Sequence, residues 1–328
     1  MVPVLLVIGG LVALIAGAEL VVRYGSLLAR RLGIPPMIIG LTVVSIGTSA
    51  PELAVGIDAM KVNAGSLAVG NIAGTNIVNL LLILGLCAVL RPIDFERRTL
   101  LLDLPGMAIV AVLVYVLSLD EQLQAWEGIP LVIAAIAYTI GLGWWTRREN
   151  AGKADQLIAD LAVEARVTAP AEYAKARALW FALLLAVDIA IIVVGADWLV
   201  RGSVELARLV GVSDAFIGLT VVAIGTSAPE LVTALVSTFR GDRDIAVGNL
   251  IGSSVYNLTL ILGVPVLVAN GSGPIDTFLL HIDLPIMVAV CLLCIPLFLT
   301  GRRLSRAEGI LMVTGYAAYL GYLLIART

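Results

Sequence analysis

The stretch Gly40-Leu-Thr-Val-Val-Ser-Ile-Gly-Thr-Ser-Ala-Pro-Glu-Leu53 returns in the second half of the chain as Gly218-Leu-Thr-Val-Val-Ala-Ile-Gly-Thr-Ser-Ala-Pro-Glu-Leu231, identical at thirteen of fourteen positions. Each copy sets one carboxylate, Glu52 or Glu230, inside an otherwise apolar run. Two buried acids related by an internal repeat predict the two halves of one cation site in a membrane protein.

The composition agrees with a membrane setting. The chain has 328 residues, 60% of them hydrophobic and 14% charged, with a mean hydropathy of +1.04. Runs of about 20 apolar residues cross a bilayer as helices. They predict ten spans, at 2–22, 36–60, 66–90, 99–118, 126–146, 178–201, 216–240, 245–269, 278–300 and 307–326. The N-terminus lacks a basic leader and a small-residue cleavage site, so it reads as a first span. A net charge of −3 points to no nucleic acid, and nothing in the sequence implies an obligate protein partner.

Lys and Arg set the orientation. With both termini outside, 17 basic residues fall on the cytoplasmic side and 4 outside. The repeat extends well beyond its opening stretch. Gly17-Ala-Glu-Leu-Val-Val-Arg23 matches Gly195-Ala-Asp-Trp-Leu-Val-Arg201, and Val69-Gly-Asn-Ile-Ala-Gly-Thr-Asn-Ile-Val-Asn79 matches Val247-Gly-Asn-Leu-Ile-Gly-Ser-Ser-Val-Tyr-Asn257. Asp103-Leu-Pro105 matches Asp283-Leu-Pro285 at a slightly longer offset. Each copy holds five spans, an odd number, so the second enters the membrane from the opposite side. The fold class expected is an all-α polytopic membrane protein of ten transmembrane helices in two inverted five-helix repeats. The first repeat covers 1–148, a cytoplasmic linker 149–177, and the second repeat 178–328. Leu157 and Leu161 would share one side of a short surface helix in the linker.

An ionised carboxylate in the bilayer is costly unless a cation or polar groups face it. An interhelical hydrogen bond or an ion pair is the plain alternative, but spans 2, 3, 7 and 8 hold no Lys or Arg in their interiors. Pro51 and Pro229 lack an amide hydrogen, which frees the carbonyls of Gly47 and Gly225. Thr48, Ser49, Thr226 and Ser227 bring hydroxyls within a turn of the acids. Thr75 with Asn79, and Ser253 with Asn257, are i,i+4 pairs that share a helix face; interhelical hydrogen bonding is the alternative for these. Gly70, Gly74, Gly248 and Gly252 allow close helix approach. Carboxylate, hydroxyl and carbonyl oxygens together suit hard cations, Ca²⁺ above all and also Na⁺.

Gly-Thr-Ser-Ala-Pro-Glu followed by Gly-Asn-x-x-Gly-[Ser/Thr], present twice, resembles the alpha repeats of the sodium/calcium exchangers, within the cation/calcium exchanger superfamily. The alpha motifs would be 40–85 and 218–263. The resemblance implies Na⁺-driven Ca²⁺ antiport, with helices 2, 3, 7 and 8 holding the ions and helices 1 and 6 sliding against them. It implies that Glu52 and Glu230 bind Ca²⁺, helped by backbone oxygens of Thr48 and Thr226. It places Ser49, Thr75, Ser227 and Ser253 at flanking Na⁺ positions with the carbonyls of Ser45 and Ala223, and Asn79 and Asn257 at the centre. One departure is Asn257, where several relatives carry Asp. Two formal charges remain, enough to balance one Ca²⁺, while coupling to H⁺ instead of Na⁺ stays open. A compact chain of this kind suggests a prokaryotic inner membrane.

The remaining polar residues have plainer readings. Glu19 with Arg23 and Asp197 with Arg201 read as i,i+4 pairs at helix ends. Asp58 beside Lys61 reads as a solvated external mouth. Cys87, Cys291 and Cys294 lie in apolar segments and read as packing residues, despite the CxxC of the last two. His281 is the single histidine and sits at a span end. With no base beside a nucleophile in the membrane, enzyme chemistry is not expected. A cation channel lined by acids and hydroxyls is a remote alternative. No cofactor is expected; Na⁺ and Ca²⁺ are the cargo.

Overall fold

The computed structural model describes residues 2–161, 171–209, 223–269 and 273–326. In chain order its helices are α1 (Val2–Leu32), α2 (Pro36–Thr48), α3 (Ala50–Lys61), α4 (Gly65–Leu90), α5 (Thr99–Leu117) and α6 (Gly128–Leu161). They continue with α7 (Ala171–Leu209), α8 (Ala223–Thr226), α9 (Ala228–Arg240), α10 (Asp244–Leu267), α11 (Leu279–Leu299) and α12 (Arg306–Ala326). Among the described residues eight helices are long and apolar enough to cross a membrane, and a ninth if the bent pair α2–α3 is one span. Of the predicted span 216–240, residues 216–222 lie outside the described residues.

Several helices outrun the apolar runs that predicted them. α1 continues through Arg23, Arg30 and Arg31 to Leu32. A helix needs only backbone hydrogen bonds, whereas a span also needs apolar side chains, so the helix continues where the span stops. For the same reason α6 and α7 carry helical backbone to 161 and from 171. The expected linker is thus mostly an extension of two helices, and the facing of Leu157 and Leu161 falls outside the described side chains.

Burial sorts the helices. The apolar windows of α4 and α10 are 78% and 83% buried, against 28% for α1 and 17% for α12. α4 and α10 are therefore central, and the outer helices show bands such as Leu5, Ile8, Val12 and Ile15 to the surroundings. In water such bands would be costly; against lipid tails they are not. The packing also falls into two apolar clusters. One holds α4, α5, α10 and α11. The other joins α1 to α7 and part of α2. α1 and α7 lie along each other on small residues: a Cβ on Gly10 would stand 2.6 Å from the Gly195 carbonyl oxygen.

Some turns are wider than α-helical, with i→i−5 hydrogen bonds. The amide of Ser45 donates to Gly40, that of Leu84 to Asn79 and that of Leu262 to Asn257. Leu104 donates in the same way to Thr99, and Leu284 to Leu279. In the last two the next residue is Pro105 or Pro285, whose missing amide hydrogen cannot continue the regular ladder.

The helical frame carries two short additions that the sequence reading did not include. Four two-residue strands form two antiparallel ladders. β1 (Ile93–Asp94) pairs with β4 (Arg303–Leu304), and β2 (Gln122–Leu123) with β3 (Gly273–Pro274). The β2–β3 ladder lies at the N-terminal end of α4, where the Ser66 hydroxyl donates to the Pro274 carbonyl at 3.1 Å. β1 follows the C-terminal end of the same helix.

Candidate cation site

The helix breaks between α2 and α3, which meet at 43°. Ser49 stands at the break with φ −86° and ψ 14°. Ser227 has nearly the same backbone, φ −86° and ψ 8°, between α8 and α9. Pro51 and Pro229 then occupy the first turns of α3 and α9, where their missing amide hydrogens cost nothing. Glu52 and Glu230 share those first turns. The sequence predicted a kink; the finding is a full break, so each acid sits at a helix N-terminus whose dipole favours its charge.

Both acids are fully buried, and they are close enough to repel each other electrostatically. The first copy of the motif reaches across to the second. The Ser49 hydroxyl donates to Glu230 Oε1 at 3.2 Å, and Thr48 lies against the same carboxylate. The Thr48 hydroxyl donates to Asn249 Oδ1 at 3.3 Å. The Ser45 hydroxyl lies 2.6 Å from the Gly40 carbonyl oxygen and 2.9 Å from that of Asn249, so its one hydrogen serves either. Ser253 Oγ is 3.5 Å from the Ser45 carbonyl oxygen and 3.5 Å from Asn249 Oδ1.

The wide turn carrying Asn79 packs against α9, and the turn carrying Asn257 packs against α3. Asn79 and Asn257 are fully buried. Among the described residues, Glu52 Oε1 and Oε2, Glu230 Oε2, Asn79 Oδ1 and Asn257 Oδ1 accept no hydrogen bond from the protein, and neither does Ser227 Oγ. Buried acceptors of this kind are rare in folded proteins because each costs about 1–3 kcal/mol. Five acceptor oxygens without a donor are complementary to a cation. Among the described residues no group of three His, Cys, Asp or Glu exists that would suit a transition metal.

Thr75 and Thr226 line the wall of a cavity of about 430 Å³ beside α4 and α11. Ala223 belongs to α8 by its backbone, and its side chain lies outside what is described. Asn249 is a candidate site residue that sequence reasoning missed. It stood in the Gly-Asn-x-x-Gly motif as a neighbour of glycines, yet it is the polar hub for Ser45, Thr48 and Ser253. Asn249→Ala is expected to raise the half-saturating Ca²⁺ concentration about tenfold or more, since it removes hydrogen bonds worth about 1–3 kcal/mol together. Equilibrium binding to purified protein measures it, and unchanged affinity would remove Asn249 from the site.

Among the outlying charges, Asp58 pairs with Lys61 at 3.2 Å on an exposed surface, and Asp197 with Arg201 at 2.8 Å, both as expected. Glu19 does not pair with Arg23. Its carboxylate binds Arg240 at the end of α9, while Arg23 lies over the Tyr24 ring. The tertiary partner displaces the local one because α9 packs against α1. Cys87, Cys291 and Cys294 are buried and free. His281 is exposed, with Nδ1 2.9 Å from the Thr277 carbonyl oxygen.

A membrane-embedded helical bundle whose broken helices bring two acids and many neutral oxygens together defines an ion transporter. The chain matches the family model for sodium/calcium exchanger protein over residues 2–144 and 180–325. It belongs to the sodium/calcium exchanger family. It is 36% identical to inner membrane protein YrbG of Escherichia coli, over 97% of this chain and 95% of that one. It is 32% identical to sodium/calcium exchanger MaX1 of Methanosarcina acetivorans, over 96% and 97%. Its fold is similar to that of the sodium-calcium exchanger NCX_Mj soaked with 10 mM Na⁺ and no Ca²⁺. There the TM-score is 0.81 at 26% identity, covering 98% of this chain and 99% of the other. Other crystals of NCX_Mj were soaked with Na⁺ together with Ca²⁺ or Sr²⁺.

Proposed function

We propose that the chain is a secondary antiporter that exchanges Na⁺ for Ca²⁺ by alternating access, exporting Ca²⁺ across a prokaryotic inner membrane. The observation that carries it is the set of donor-less buried oxygens around Glu52 and Glu230. Ca²⁺ takes six to eight oxygens and Na⁺ accepts similar ones. Ca²⁺ and two or more Na⁺ would occupy the cluster at different times, and competition for the two acids couples the fluxes. Two bare carboxylates facing a dry barrier cost several kcal/mol each, so the empty carrier reorients poorly and leak is suppressed.

The same reading includes ten spans in two inverted repeats, with both termini outside. Three observations support it. The repeat-related strands β1 and β3 lie at opposite ends of α4. The breaks at Ser49 and Ser227 have matching backbone angles. The basic residues divide 17 to 4. The separate apolar cluster of α1 and α7 supports their movement as one body against α4 and α10. Residues 1–148 and 178–328 would be the repeats, and 149–177 the cytoplasmic connection. In this reading Glu52 and Glu230 hold Ca²⁺, with Thr48 and Thr226 beside it. Ser49, Thr75, Ser227, Ser253, Ser45 and Ala223 complete the Na⁺ positions, and Asn79 and Asn257 line the centre.

Uptake of radioactive Ca²⁺ into proteoliposomes tests the reading. An outward Na⁺ gradient is expected to drive it, and dissipating that gradient to stop it. Uptake that ignores Na⁺ and follows a pH gradient would make the protein a Ca²⁺/H⁺ antiporter, and flux without any counter-ion a channel.

A further inference from the structure

Asn257 is fully buried, and among the described residues neither atom of its side-chain amide meets a hydrogen-bonding partner. No described protein group therefore aims that amide. Its direction follows from the rotation of α10 about its own axis, about 100° per residue.

The preceding residue holds that rotation. Tyr256 stands directly before the wide turn that Asn257 opens, and only 1% of it is exposed. Its hydroxyl lies 2.8 Å from Thr139 Oγ1 on α6. Thr139 already donates its single hydrogen to the Ala135 carbonyl at 2.8 Å, so Tyr256 is the donor. The bond is made at the tip of a rigid ring, far from the helix axis, where a small rotation of α10 would break it. The Tyr138 ring adds a second hold. It meets the Tyr256 ring edge to face, with centroids 5.7 Å apart and planes at 71°. Tyr138 is itself fixed, because its hydroxyl donates to Asp103 Oδ1 at 3.0 Å and the buried Arg98 stands 3.6 Å from Oδ2. A chain of contacts thus ties the start of α5 to α6 and α6 to α10, and it ends beside Asn257.

The first half is built otherwise. The repeat counterpart of Tyr256 is Val78, which is buried but has no hydroxyl to donate. The amide of Asn79 is equally without a partner among the described residues, and at the position before it only apolar packing is available.

We propose that Tyr256 is a positioning residue for cation binding: anchored on Thr139 and Tyr138, it fixes the rotation of α10 and so aims the Asn257 oxygen at the ion held by Glu52 and Glu230. The proposal deepens the antiport reading, on which it rests for the place of Asn257 at the centre of the site.

Equilibrium binding of Ca²⁺ to the purified full chain tests it, in a cycle of Tyr256→Phe, Asn257→Ala and the two together. Phe keeps the ring and its contact with Tyr138 and removes only the hydroxyl. Tyr256→Phe is expected to raise the half-saturating Ca²⁺ concentration about fivefold, the worth of about one hydrogen bond. With Asn257→Ala already present, the same change should have less than about a twofold effect, because no amide remains to be aimed. Thr139 lies on the exposed side of α6, so its substitution tests the anchor without disturbing the core. Thr139→Val should reproduce the fivefold loss, and Thr139→Ser, which keeps the hydroxyl, should bind as the unmodified protein does. A role in packing alone would lower Tm equally with and without Asn257 and would not make the loss of affinity depend on it. Unchanged affinity in Tyr256→Phe or Thr139→Val overturns the proposal, as does the same loss in both backgrounds. If Asn257→Ala binds Ca²⁺ normally, Asn257 leaves the site and the proposal falls with it. The expected binding cycle without Na⁺-driven uptake would instead strike the antiport reading and leave this result standing.

Discussion

Replacing either Glu52 or Glu230 with Gln is expected to lower Na⁺-driven Ca²⁺ uptake at least 100-fold. Gln keeps the shape of the side chain and removes its charge. One remaining carboxylate cannot balance Ca²⁺, and removing one partner from a buried charge cluster costs about 3–5 kcal/mol. At about 1.4 kcal/mol per tenfold, that is two orders of magnitude or more in affinity. The two variants need not be equal, because Ser49 donates to Glu230 whereas Glu52 accepts no hydrogen bond among the described residues. Direct Ca²⁺ binding in detergent separates loss of affinity from loss of movement. Normal uptake by either variant would remove that acid from the site.

The second large effect concerns the seam between α2 and α10. A Cβ on Gly252 would run into Ser45 Oγ and stand 2.5 Å from the Leu41 carbonyl oxygen. Part of that obstacle is backbone, which does not turn aside as a flexible side chain would. Gly252→Ala must therefore push α2 and α10 apart, at a cost of about 1–3 kcal/mol or more. The shift also moves Ser45, Thr48 and Asn249 relative to one another. A lower Tm and loss of exchange are expected together. Thermal unfolding and Na⁺-driven uptake of the variant measure the two effects, and an unchanged Tm with normal exchange would contradict the seam.

The sequence made eight of the predicted spans legible because bilayer thickness dictates apolar length, and the duplicated motif marked Glu52 and Glu230 as candidates without help from the fold. Other features depend on partners far away in the chain. Glu19 had Arg23 at the right helical spacing, and nothing local could show the distant Arg240 arriving beside it. The ladder strands are two residues long, and two residues carry no periodicity to read. Asn249 looked like part of a glycine motif because its role comes from groups on α2, not from its own neighbours. The break at Ser49 was half visible: Pro51 announces lost hydrogen bonding, but the 43° bend needs the packing around it.

The two ladders bear on how the molecule is made. Ile93 pairs with Leu304 and Asp94 with Arg303, so each pairing spans more than half of the chain. Gln122 and Leu123 pair with Pro274 and Gly273, spanning nearly half of it. A ribosome delivers the first strand of each pair long before the second exists. The loops after α4 and α5 therefore enter the membrane with their partners still unsynthesised, and closure of both faces belongs to the final stage of biogenesis. Contacts of such long sequence separation form slowly and late, so the finished carrier is one folding unit whose first half is completed by its second.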